Sequence, residues 1–134
     1  MTASQDFGKL VLRLMLGTLL LFHGIYKAIH GIGEINAMVI AHHLPPALAY
    51  GVYSGEILGP VLIILGVVSR FGAALIVANM LFAIWMAGMG NLFAINAHGG
   101  YALELETFFL LTAFALMFLG AGRYSLGGLN GRLN

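Results

Sequence analysis

Histidine, lysine and glutamate are the side chains in this sequence that could move protons or hold a polar ligand, and they are not scattered at random. His23, Lys27 and His30 are spaced four and three apart, so on a helix they share one face, which Glu34 would extend if the helix continues. Glu56, Glu104 and Glu106 lie in two later apolar stretches. Glu104 and Glu106 are two apart and point to different faces of any helix that holds them. Lys27 is the one fixed cation set among Glu34, Glu56, Glu104 and Glu106. In a low-dielectric site that imbalance calls for a carboxyl that is neutral or held by a ligand. The chemistry this suits is proton-coupled, or it is the binding of a polar head group. The plainer alternative pairs Lys27 with Glu56, bonds His23 to a backbone carbonyl, and leaves the cluster to specify helix packing.

Other residues carry weaker signals. His42-His43 precede Leu44-Pro45-Pro46 in a loop and read as solvated side chains, so no metal site is expected. His23 and His98 have the chemistry of axial haem ligands, but no other haem marker accompanies them. Met80, Met86 and Met89 read as packing, since methionine fills irregular gaps between helices. Asn79 is expected to hydrogen-bond across helices, and Gly17, Gly24, Gly59, Gly66 and Gly72 to mark close helix contacts.

The elements that must position these groups follow from composition. The 134 residues are 60% apolar and 8% charged, with 19 glycines and a mean hydropathy of +0.97. A soluble domain carries about 25% charge, so most of this surface faces something other than water. Six scattered Lys and Arg cannot neutralise a run of phosphates, which excludes a nucleic-acid binder. Zero cysteines exclude disulfides, thiol nucleophiles and sulfur-ligated metal or redox centres.

A bilayer core of roughly 30 Å takes about 20 apolar residues per helix. The sequence offers such stretches at about 10–28, 48–68, 71–89 and 101–119, so the expected fold is all-α, a four-transmembrane-helix bundle forming one domain over residues 1–134. The first stretch follows Lys9 and Arg13 as a signal peptide would, but it runs into Phe22-His23-Gly24-Ile25-Tyr26-Lys27 without a small-x-small cleavage site, so it reads as a retained helix. Four spans collect Lys9, Arg13, Arg70, Arg123 and Arg132 on one side and leave Lys27 on the other. Lys and Arg concentrate in cytoplasmic loops, which places both termini in the cytoplasm. Tyr50, Tyr53, Trp85 and Tyr101 then form an outer aromatic belt, and all the histidines share the outer half. Gly120-Ala121-Gly122 reads as a helix C-terminus, with Arg123 at the inner interface.

Three stretches resemble the DoxX family of membrane proteins. Arg13-Leu14-Met15-Leu16-Gly17 through Phe22-His23-Gly24-Ile25-Tyr26-Lys27 is similar to its first-helix signature. Gly55-Glu56-Ile57-Leu58-Gly59, with Leu65-Gly66-Val67-Val68-Ser69-Arg70 and Ala73-Ala74-Leu75, is similar to its central motif. Gly99-Gly100 with a following Glu, and Gly120-Ala121-Gly122-Arg123-Tyr124-Ser125-Leu126, are similar to its C-terminal signature. The chain departs from the family in having Ala121 in place of the Pro of Gly-Pro-Gly and Gly127 in place of an Asp.

The resemblance implies a four-helix protein of a bacterial or archaeal cytoplasmic membrane, related to the small subunit of thiosulfate:quinone oxidoreductase. The family's His, Lys and Glu positions map to His23, Lys27, Glu56 and Glu104, with Glu104 preferred over Glu106. The expectation is a redox-system subunit that binds quinone in the outer half, with His23 or Lys27 donating to the quinone and Glu56 or Glu104 accepting a proton. Electrons would come from a membrane or periplasmic redox partner. An accessory or assembly subunit and a proton or solute pathway are the alternatives, and self-association and lipid contact fit all three.

Overall fold

The structure, a computed structural model, describes residues 2–88, 90 and 92–134. Their regular elements are helices, with one isolated bridge between Ile95 and Tyr101. Thr2 starts the first helix: its hydroxyl accepts from the Gln5 amide at 3.2 Å, and the Gln5 side chain accepts from the Thr2 amide at 3.1 Å. This reciprocal cap occupies amides that a helix start leaves free, so α1 covers Ala3–His30 and begins well before the expected Leu10. Gly31, at φ 86°, ends it, and α2 covers Gly33–Ala41. The helix carrying His23 and Lys27 therefore does not continue through Glu34.

A 3-10 turn at Pro46–Gly51, a π turn at Ser54–Leu58 and α3 at Gly59–Leu65 follow as one helical segment. Gly66 closes it in the left-handed conformation, φ 73°, where an added side chain is strained. Then come α4 at Ser69–Gly88 and α5 at Glu104–Leu119. Ser69 and Arg70 belong to the first turn of α4, so the break between the second and third helical segments lies at 66–68, just before them. Met89, which closes the third expected span, lies outside the described residues.

Three helical segments among the described residues are long and apolar enough to cross a membrane: Ala3–His30, Pro46–Leu65 and Ser69–Met86. The fourth expected span is shorter than its sequence suggested. Residues 101–103 turn back on the preceding loop through the Ile95–Tyr101 bridge and the Ala102 amide on the Ala94 carbonyl at 3.0 Å. That leaves α5 with 16 residues, about 24 Å at the helical rise.

Small residues bring the helices together, as they do where the surroundings are as apolar as the side chains. Gly17 faces Ile64 and the Pro60 carbonyl, Gly24 faces the Glu56 carbonyl, and Gly59 and Gly72 face each other. These contacts run α1 antiparallel to Pro46–Leu65, and that segment antiparallel to α4. The core they enclose comprises Leu16 and Leu20 from α1, Ile63 from α3, Ala73, Ile76 and Met80 from α4, and Phe109, Ala113 and Leu116 from α5. Phe22, Ile29, Phe108 and Phe118 point outward and are more than half exposed, an apolar exterior suited to lipid.

One end of the bundle is closed by charge turned inward. Arg13 is 1% exposed and donates to the carbonyls of Ile63 (2.8 Å), Ile64 (3.0 Å), Ala121 (3.0 Å) and Tyr124 (2.8 Å). The two carbonyls at Ile63 and Ile64 belong to the last turn of α3, where the helix leaves acceptors unpaired. Arg70 does the same for α5, donating to Met117 and Phe118, both at 2.8 Å. Asp6, fully buried, accepts from the Arg123 amide at 3.3 Å, and its carboxylate lies 3.8 Å from the Arg123 guanidinium.

Candidate functional site

The opposite end begins with a proline. Pro60 has no amide proton for the carbonyl four residues back, which is that of Glu56. The ladder is re-registered there: the Gly59 amide reaches the Ser54 carbonyl and the turn at Ser54–Leu58 widens to π, a local feature that recurs at functional sites. The freed Glu56 carbonyl is covered by Gly24 of α1. A Cβ on Gly24 would lie 2.2 Å from that oxygen, so only hydrogen fits.

This close approach sets the Glu56 side chain beside Lys27, one turn further along α1. Lys27 Nζ donates to both carboxylate oxygens of Glu56, at 2.8 and 2.6 Å. Glu56 is 5% exposed. The Tyr53 hydroxyl donates to the Lys27 carbonyl at 3.2 Å, tying the π-turn segment to α1 a second time.

The pair borders a cavity of about 510 Å³, within the range of small-molecule sites at roughly 300–1,000 Å³. Leu20, Met38, Phe82, Met86 and Phe109 supply apolar wall; His23, Lys27, Glu34, Glu56, Asn79 and Glu106 supply the ionisable and amide groups. Glu34 arrives from α2 rather than from an extended α1. The His23 ring is exposed and sits edge-on to Phe109, centroids 5.9 Å apart. Met80 and Met86 are buried packing residues that also line the cavity.

Two groups here differ from the sequence expectation. Among the described residues Asn79 makes no cross-helix hydrogen bond: its side chain packs on Gly55, whose added Cβ would lie 2.2 Å from Asn79 Cβ, and its Nδ2 is buried without a partner. Glu104, the preferred family glutamate, does not join His23, Lys27 and Glu56. It is exposed, lies against Gly100, and lines a separate groove with Leu12, Thr107 and Phe108. Glu106 is the α5 carboxylate in the cavity, and among the described residues it has no hydrogen bond or ion pair. Glu106 precedes Phe109, Ala113 and Leu116 at steps of three, four and three, on the face of α5 that the structure buries.

The remaining histidines stand apart from the cavity. His30 stacks on Tyr26, centroids 4.2 Å apart, and its Nδ1 meets the Tyr26 carbonyl at 3.1 Å. His42 Nδ1 meets the Met38 carbonyl at 2.8 Å, and its ring tilts over Trp85. His98 lies in an exposed turn, its amide bonded to Asn96 Oδ1 at 3.0 Å.

The DoxX family model matches residues 8–89 of the chain. That stretch holds Lys27, Glu56 and Asn79 and stops before α5. Neither the curated proteins nor the solved structures contain a match.

Proposed function

The chain belongs to the DoxX family of membrane proteins, and from that premise we propose that it is a membrane subunit of a redox system that binds quinone in the cavity beside Lys27 and Glu56. The observation that carries this reading is the cavity itself: a largely apolar space between the helices into which a few polar groups converge. A quinone ring matches the walls of Leu20, Phe82 and Phe109. Its oxygens match the donors Asn79 Nδ2 and Lys27, whose ammonium has one proton beyond the two engaged by Glu56. His23, Glu106 and Glu34 are the groups that exchange protons with the ligand and the adjoining water. Glu104 keeps at most an indirect part, through the loop at Gly100.

The chain has no cysteine to hold a redox centre, so electrons come from a partner protein. In this reading α5 is a fourth, short crossing, its length met by tilt or local thinning of the bilayer. The Arg13 end with both termini then faces the cytoplasm of a bacterial or archaeal cell, because it gathers the Lys and Arg residues. A second reading, an accessory subunit without a ligand, is favoured by one observation: the Lys27–Glu56 pair completes itself.

A single tryptophan makes the test direct. Trp85 lies 6.0 Å, centroid to centroid, from the cavity-lining Phe82, close enough for a bound quinone to quench it. Titrating the protein in nanodiscs with a short-tailed benzoquinone should give saturable quenching that Lys27→Met and Glu56→Gln weaken. Quenching that never saturates, or equal affinity in both variants, would leave the accessory reading in place.

A further inference from the structure

The Lys27–Glu56 pair satisfies itself, and two other groups on the same cavity do not. Asn79 Nδ2, from α4, is a buried donor without an acceptor. Glu106, half-buried on α5, is an acceptor without a donor among the described residues. A buried polar group left unpaired is unfavourable, so the ligand that gains most here is one that answers both.

Resting on the quinone reading above, we infer that the cavity selects the reduced form of its ligand, a hydroquinone, over the quinone, with Asn79 donating to a ligand oxygen and Glu106 accepting from a ligand hydroxyl. The chemistry behind the choice is elementary. A phenolic hydroxyl both accepts and donates, whereas a carbonyl oxygen only accepts. The quinone answers Asn79 and leaves Glu106 facing an oxygen with no proton between them.

The other charged groups around the cavity act in the same direction. Lys27 of α1 is matched by Glu56 of the π turn at 2.6 Å, so the pair contributes little net charge. Glu34 of α2 adds a second carboxylate, and His23 of α1 supplies no fixed charge. A cavity whose unmatched groups are mainly carboxylates favours ligands that bring protons to it. Glu104 faces the other groove of α5 and takes no part.

Anaerobic equilibrium dialysis against protein-loaded and empty nanodiscs tests this with three probes: a short-tailed benzoquinone, its hydroquinone, and the hydroquinone dimethyl ether. The ether keeps the ring and loses the donors. The wild-type protein should bind the hydroquinone about tenfold more tightly than either other probe, the scale of one charge-assisted hydrogen bond. Glu106→Gln, whose amide can donate as well as accept, should bring the ratio to about twofold or less, while Glu104→Gln should keep it.

Equal binding of all three probes by the wild type overturns the inference and leaves the quinone reading standing. A tenfold ratio that survives Glu106→Gln overturns the role of Glu106. Binding of none of the three removes the quinone reading and this inference together. If Glu106→Gln does not fold, the wild-type comparison of hydroquinone with ether still decides the matter.

Discussion

Arg13 and Lys27 occupy the same face of α1, one toward each end, and they meet different surroundings. Arg13 is buried with no acid bonded to it among the described residues, and four carbonyls from two parts of the chain accept its hydrogen bonds. Lys27 is a quarter exposed and meets a carboxylate at the edge of a cavity. Around Arg13 the polar groups are mostly spent on the protein itself: two of the carbonyls it holds end α3, and two belong to the stretch after α5. Around Lys27 the acids outnumber the cation, and Asn79 and Glu106 are left over. The difference separates a part of the fold that charge stabilises from a part where charge is kept available, a separation seen where binding sites carry unmet polar groups.

Arg13→Leu gives the largest expected effect, because it strands several buried carbonyls at once. The loss should be about 4 kcal/mol, read as the shift in detergent-titrated unfolding. Arg132, exposed on the same side of the molecule, serves as the control: Arg132→Ala should change stability by less than about 0.5 kcal/mol. A mild Arg13→Leu phenotype would mean that the carbonyls find water, and that this end is less closed than its bonds suggest.

Gly24→Ala should cost about 1–3 kcal/mol, because the added methyl meets the Glu56 backbone oxygen at 2.2 Å and a carbonyl in a helix cannot rotate away. Unlike Arg13→Leu, it should also weaken quinone binding, since separating α1 from the π turn draws Lys27 from Glu56. Gly33→Ala, where a methyl meets nothing within 4 Å, should leave both quantities unchanged. If Gly24→Ala lowered stability and spared binding, the pair would not depend on this contact.

The two ends were not equally legible in the sequence. The helical stretches, the close approaches at Gly17, Gly24, Gly59 and Gly72, and the closeness of Lys27 to Glu56 follow from hydropathy and from the cost of isolated charge in lipid. Asp6, Lys9 and Arg13 repeat at steps of three and four on the face that later carries Lys27, yet counted as loop charges they look like membrane-interface residues. Only the fold shows that the C-terminus of α3 and the stretch at Ala121 and Tyr124 converge on Arg13. α5 hid its orientation for a different reason. It is apolar on all sides, so Phe108, Leu111 and Phe118 resemble Phe109 and Leu116 until a neighbour chooses between them. Glu104 and Glu106 could be told apart only by which of those faces α4 covers.

Asn79 gives the smallest effect on stability and the sharpest test of the contrast. Its Nδ2 is buried beside Gly55 and unmatched among the described residues, so Asn79→Leu, which keeps the branching of the side chain, removes a group that the fold does not use. Replacing an unpaired buried amide by an apolar side chain is neutral or stabilising, and the expected change in unfolding free energy is between zero and a gain of about 1 kcal/mol. Ligand affinity should fall about tenfold in the same variant, one buried hydrogen bond's worth. Arg13 should not behave this way, because removing its donors leaves acceptor carbonyls stranded. A loss of stability above about 1 kcal/mol in Asn79→Leu would show that the amide serves the fold, and the cavity end would then be a second structural polar cluster like the first.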